Sequence, residues 1–210
     1  MKRLFLTICM IFSIAGINCI DAQNNYIEIS LGMSKYSQTY NSNAGITTSS
    51  PKTDISLTNI SLGYNYAMTY NWYIGAVVGI SQIKGDDLHF GSVVYKPETS
   101  LYTFTPKLTY EKALGNSNLY WTPSLYFTFG YGKEDFVAKT DIKYFNYRIG
   151  INPLSFDFRI TYSLAVNFTL MTPYYNILSA SLSDEDSNYD ISADNSFIYL
   201  GGQFGIKLFF

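Results

Sequence analysis

The stretch Gln203-Phe204-Gly205-Ile206-Lys207-Leu208-Phe209-Phe210 decides how the rest of the chain is read. With a period of two, Phe204, Ile206, Leu208 and Phe210 fall on one face, and Gln203, Gly205, Lys207 and Phe209 on the other. That alternation marks a β-strand with one apolar and one mostly polar side. Phe209 is the exception. It shares the polar parity, and the pattern gives it only a place at the rim.

The alternation returns upstream and predicts eight strands, over about 26–36, 54–68, 72–83, 99–112, 119–132, 142–160, 164–176 and 196–210. Pro106 lacks a ladder donor, so a kink or bulge is expected there. Strand 142–160 changes phase. Phe145, Tyr147, Ile149 and Ile151 share one parity; Leu154, Phe156, Phe158 and Ile160 share the other. A one-residue slip turns every side chain over, so a β-bulge at Asn152-Pro153 is expected to restore the facing. The connections alternate. Polar loops are expected over 37–53, 84–98, 133–141 and 179–195, with short turns over 69–71, 113–118 and 161–163. Short turns at one end and long loops at the other are the rhythm of a membrane β-barrel.

Ahead of these strands stands a basic start, Met1-Lys2-Arg3, an apolar run from Leu4 to Ile17, and Ala22 before the expected cut. This reads as a signal peptide over 1–22, leaving one barrel domain over 23–210. Both cysteines, Cys9 and Cys19, fall in the removed segment, so the mature chain is expected to carry no disulfide. Losing Lys2, Arg3 and Asp21 from 14 basic and 16 acidic residues leaves a net charge of −3. That is too small a bias to suggest nucleic acid as a partner. Twenty tyrosines and fifteen phenylalanines favour strands.

The two faces are expected to meet different surroundings. Charges sit only on the polar parity: Glu28, Lys107, Glu111, Arg148, Asp157, Arg159 and Lys207. An eight-stranded barrel has an interior just wide enough for side chains to fill. These groups therefore read as a structural charge network in the lumen, and the apolar parity as the lipid side. Glu28 and Lys207 lie on strands that closure makes neighbours, and could pair. Arg148, Asp157 and Arg159 could reach Lys107 and Glu111 only across the lumen. Tyr66, Trp72, Tyr110 and Trp121 sit beside the short turns, where an interfacial girdle belongs.

Together, the signal segment, strand count, loop rhythm and closing strand resemble the small outer-membrane β-barrels of Gram-negative bacteria, the OmpA/OmpX-like family. Thr69-Tyr70-Asn71-Trp72 is similar to that family's periplasmic turn, usually Thr-Asp-Asn-Trp, with Tyr70 departing from it. Thr161-Tyr162-Ser163-Leu164 resembles a second copy, and Gly150-Ile151-Asn152-Pro153 also fits the family. The resemblance implies an eight-stranded antiparallel up-and-down transmembrane barrel in the outer membrane, with both termini periplasmic. Gln203, Gly205, Leu208 and Phe210 would form its assembly signal, read by the barrel-assembly machinery. Outer-membrane lipids and lipopolysaccharide would surround it. The family carries over no catalytic residue and no cofactor, and the long relatives' peptidoglycan-binding domain is not expected after Phe210.

Two further clusters have bland readings beside functional ones. His89, near Asp86, Asp87 and Ser92, could serve a lipid-modifying enzyme, but a triad is recognised by geometry rather than proximity. Asp184, Asp186, Asn188 and Asp190 have the spacing of a calcium loop, yet Tyr189 and Asn195 replace its Gly and Glu. A solvated acidic loop suffices, and no metal site is expected. The sequence thus points to a monomeric, non-enzymatic envelope protein acting through its external loops, with a narrow channel as the alternative and a lipid-modifying enzyme as a further one. Any loop ligand stays unspecified.

Overall fold

The computed structural model describes residues 25–39, 52–86, 88–90, 93–95, 98–115, 117–136, 140–184, 187–197 and 201–210. The expected signal segment, with both cysteines, lies outside them. Every regular element among the described residues is a β-strand. They are β1 (Tyr26–Thr39), β2 (Lys52–Ala67), β3 (Trp72–Gly85), β4 (Leu88–Phe90), β5 (Val93–Tyr95), β6 (Glu98–Tyr110), β7 (Lys112–Ala113), β8 (Leu119–Trp121), β9 (Ser124–Phe136), β10 (Thr140–Asn152), β11 (Ser155–Arg159), β12 (Leu164–Thr169), β13 (Tyr174–Asp184), β14 (Ser187–Phe197) and β15 (Gly201–Phe209). All but β4 and β5 join one antiparallel sheet, which curls so that β1 pairs with both β2 and β15.

More segments appear than the uninterrupted strands expected from periodicity, for local reasons. At Asn152-Pro153 the ladder skips. Asn152 pairs with Ser124 in β9, and Phe156 with Trp121 in β8. Three residues on one side face two on the other, which is a bulge of one extra residue. It keeps Ile149, Ile151, Phe158 and Ile160 exposed while Asn152, Ser155 and Asp157 stay buried. At Pro106 no bulge forms. The β6–β9 ladder breaks between Phe104↔Phe129 and Lys107↔Tyr126, but the register is the same on both sides. The proline removes a hydrogen bond and adds no bulge.

The short turns are built alike. Met68 N and Thr69 N both donate to Trp72 O (2.8 and 3.3 Å), and Asn71 N donates to Thr69 Oγ1 (3.4 Å). Ile160 N and Thr161 N both donate to Leu164 O (2.9 and 3.1 Å), and Ser163 N donates to Thr161 Oγ1 (3.2 Å). The threonine hydroxyl closes both turns, which explains why Tyr70 and Tyr162 can vary: each is almost fully exposed. The third turn holds Gly115 at φ 66°, in the left-handed region.

The far ends of the strands differ from the expected loops. The segment 179–195 belongs mostly to the hairpin β13–β14, with Asp184 opposite Ser187 at its tip. The two-residue spacing of Asn188 and Asp190 is therefore the repeat of a strand, not of a calcium loop. Strands β1, β2, β9 and β10 also run past their expected limits. There the sequence has no apolar period, so periodicity alone does not reveal that the backbone pairing continues.

Candidate functional site

The wall is inside out relative to a water-soluble protein. Ile29, Leu31, Ile60, Ile74, Ile80, Phe104, Leu125, Ile149, Phe204 and Ile206 are exposed, whereas Glu28, Glu111, Asp157 and Lys207 are buried. The alternation that makes each strand produces this arrangement, because successive side chains leave opposite faces. An exposed apolar surface of this extent needs an apolar solvent.

The inward charges meet as three ion pairs, none along a single ladder. Lys107 Nζ donates to Glu28 Oε1, joining β6 to β1. Arg159 Nη2 donates to Glu111 Oε1 at 2.6 Å. Lys207 Nζ donates to Asp157 Oδ2 at 2.6 Å, joining β15 to β11. Glu28 and Lys207 do stand opposite one another in the β1–β15 ladder, but Glu28 takes its ion-pair partner from across the interior and Lys207 takes its partner from β11, beyond β12. Asp157, at 0 % exposure the most enclosed of these groups, also accepts from Asn167 Nδ2 (2.5 Å) and Thr122 Oγ1 (3.3 Å). A buried charge is tolerable only when paired and hydrogen-bonded in this way.

Phe209, left without a role by the alternation, has one here. Its ring lies 4.6 Å from Arg159 Cζ and 5.2 Å from the Tyr26 ring. Tyr120 takes the same guanidinium at 4.2 Å. Lys207 Nζ sits 4.6 Å over Tyr26, which also meets Tyr73 at 5.2 Å. The ionic layer therefore rests on an aromatic floor at the end where the chain terminates, held by cation–π contacts. A parity count cannot reveal this, because it sees an aromatic on the wrong face and not the cation beneath it.

Glycines beside the long side chains make the packing possible. A Cβ on Gly63 would come within 2.8 Å of Val77 Cγ2 and 2.9 Å of Glu28 Cγ, and one on Gly150 within 2.5 Å of the Tyr126 hydroxyl. The far half of the interior holds Leu57, Ile83, Leu101 and Tyr144, all buried. Between the two halves lies a cavity of about 140 Å³ lined by Arg148, Lys107, Glu28 and Gln203 among others. Arg148 donates Nε to Asn146 Oδ1 (2.7 Å) and lies 5.6 Å from the Tyr174 ring. It has no carboxylate partner among the described residues.

Of the expected girdle, Trp72 and Tyr110 meet at 5.0 Å and Tyr110 and Trp121 at 6.3 Å, forming an outward arc. Trp121 Nε1 also donates to Pro153 O (2.8 Å). Tyr66 is exposed beside them. In the closing strand Gln203 Nε2 donates to Ser30 Oγ (2.7 Å), Gly205 packs against Ser30, and Leu208 and Phe210 face outward. His89 lies in β4, opposite Val94; its side chain, with Asp87 and Ser92, is outside the described residues. Among the described residues no group of His, Cys, Asp and Glu could hold a metal.

No family profile matches the chain, and no characterised protein matches it in sequence. Solved structures do match in shape. The outer membrane protein OprG from Pseudomonas aeruginosa superposes with a TM-score of 0.56 at 14 % identity, over 90 % of this chain and 97 % of that one. The outer membrane protein AlkL, solved in lipid bilayers, gives 0.51 at 14 % identity, over 92 % and 93 %. The all-antiparallel sheet, its exposed apolar wall and these two likenesses agree: the chain has the fold of the small outer-membrane β-barrel proteins.

Proposed function

We propose that the chain is a non-enzymatic outer-membrane protein whose strand segments act as eight continuous strands closed into an up-and-down barrel. Joining β6 to β7, β8 to β9, β10 to β11, β12 to β13 and β14 to β15 leaves eight strands, each with two antiparallel neighbours. The short turns lie at the end where Phe210 N donates to Asn25 O (3.0 Å), which supports placing both termini on the periplasmic side. Gln203, Gly205, Leu208 and Phe210 would present the closing edge to the assembly machinery. Lipids and lipopolysaccharide would surround a monomer anchored by Tyr66, Trp72, Tyr110 and Trp121. The protein would contribute to envelope integrity or surface contact through its external loops.

One observation carries the reading: the apolar side chains are outside and three charge pairs are packed inside. An ionic layer of that kind fills the lumen instead of lining a pore, which disfavours the channel. Two measurements test it together. The folded protein should migrate differently on a gel before and after boiling, and it should carry no steady current across a planar bilayer. Soluble periplasmic protein would sink the membrane assignment, and ion-sized conductance from folded protein would sink the filled lumen.

A further inference from the structure

We propose that the cavity above the ionic layer is a binding site for a short hydroxycarboxylate, held by Arg148. The inference rests on the closed, filled barrel described above. Three charged groups line the cavity, and two of them, Glu28 and Lys107, neutralise one another. Arg148 supplies the remaining charge. Its Nε is engaged with Asn146, so the guanidinium is oriented, while its two Nη groups have no protein acceptor among the described residues. A fixed guanidinium fork matches a carboxylate through two parallel hydrogen bonds.

The rest of the lining sets the ligand's size and polarity. Hydroxyls of Ser61, Thr103 and Thr128 and the amides of Asn59 and Gln203 face the same space. The Gln203 amide nitrogen is held by Ser30 at 2.7 Å, which leaves its carbonyl oxygen to accept from a ligand hydroxyl. Ser61, Thr128 and Asn59 already pair with Ser30, Thr105 and Ser81, so the ligand's hydroxyl is selected by the Gln203 carbonyl oxygen. The volume of about 140 Å³ is close to the roughly 150 Å³ that accommodates benzene, and so suits lactate or glycerate. The lining runs up to Ser34, where the β1–β15 ladder ends on the side away from the ionic layer, and a ligand would enter from that loop-side end of the interior.

The test uses the full mature chain folded in lipid nanodiscs, with folding scored first by heat-modifiable migration. Amide shifts are then followed as glycerate, the neutral glyceramide and inorganic phosphate are added. Glycerate should give saturable shifts centred on 124–130 and 144–150, with glyceramide at least about tenfold weaker. Arg148→Gln should weaken glycerate by about tenfold or more, and Arg148→Lys by less, since it keeps the charge but loses the fork. Lys84→Gln, remote from the cavity, should change nothing. Folded protein with no saturable glycerate shifts would overturn the proposal, as would equal binding of glyceramide or unchanged binding by Arg148→Gln. Phosphate binding as tightly as glycerate would overturn the hydroxycarboxylate class. Failure to show heat-modifiable folding would count against the barrel itself and is read separately. Should Arg148→Gln not fold, the glycerate-to-glyceramide ratio on the unaltered protein decides.

Discussion

Replacing Asp157 with asparagine isolates the pairing on which the filled interior depends. The substitution keeps the volume and removes the charge, leaving Lys207 Nζ, which sits at 3 % residue exposure, without its carboxylate. Breaking a buried pair from one side costs about 3–5 kcal/mol. Two neighbours soften the loss. The Tyr26 ring lies 4.6 Å from Lys207 Nζ, a contact of about 0.5–2 kcal/mol, and Glu28 stands opposite in the ladder. D157N should therefore destabilise by about 2–3 kcal/mol, from the lower end of the one-sided range. K207M leaves Asp157 charged among Asn167 and Thr122, and should cost a similar amount. The double variant removes both charges, and such pairs are often replaced by neutral groups at little or no cost. It should lie within about 1 kcal/mol of the unaltered protein. The assay is a urea titration in lipid vesicles, with the folded fraction read from heat-modifiable migration. Additive losses in the double variant, near 5 kcal/mol by the same estimate, would refute the pairing.

Three other perturbations probe separate features. Phe209→Ala strips the ring from Arg159 and should cost about 3 kcal/mol of stability with little loss of assembly, whereas deleting Phe210 should lower outer-membrane assembly more than any loop change; equal behaviour of the two in urea titration and membrane fractionation would contradict the roles given to them. Gly63→Ala should destabilise by about 1–3 kcal/mol through contact with Val77 and Glu28, and adding Val77→Ala should recover part of it in the same titration. Deleting Pro153 removes the slip in parity together with the extra residue of the bulge, so Asp157 and Arg159 keep their inward facing on an unbroken strand and a heat-modifiable species should still form; its loss would show that the bulge does more than restore the facing.

Strand existence and facing were readable because a strand's period is two and the apolar solvent lies on one side. Phe204 to Phe210, Ile27 to Met33 and the slip at Asn152-Pro153 all declare themselves by parity alone. The upper hairpin of β13 and β14 did not, since Ser179 to Asn195 crosses a region where neither face is selected for apolarity. Partner choice was hidden for another reason. Glu28 and Lys207 are neighbours by strand order, yet their ion pairs run to Lys107 and Asp157. Those distances depend on strand tilt and lumen width, which no single strand encodes. That Arg148 meets no carboxylate among the described residues follows from the same geometry. At Pro106 the missing donor breaks the ladder without requiring an extra residue, so of the kink and the bulge that the sequence allows, the bulge is absent.

The three ion pairs join residues 79, 48 and 50 positions apart in the chain. Such contacts cannot form hairpin by hairpin. A half-inserted sheet would present these six charges unpaired to hydrocarbon, a cost that is largest for the cations and grows with depth. Curling before or while it enters a bilayer would avoid that cost, and would tie the rate of membrane insertion to the final seam between Tyr26 and Phe209.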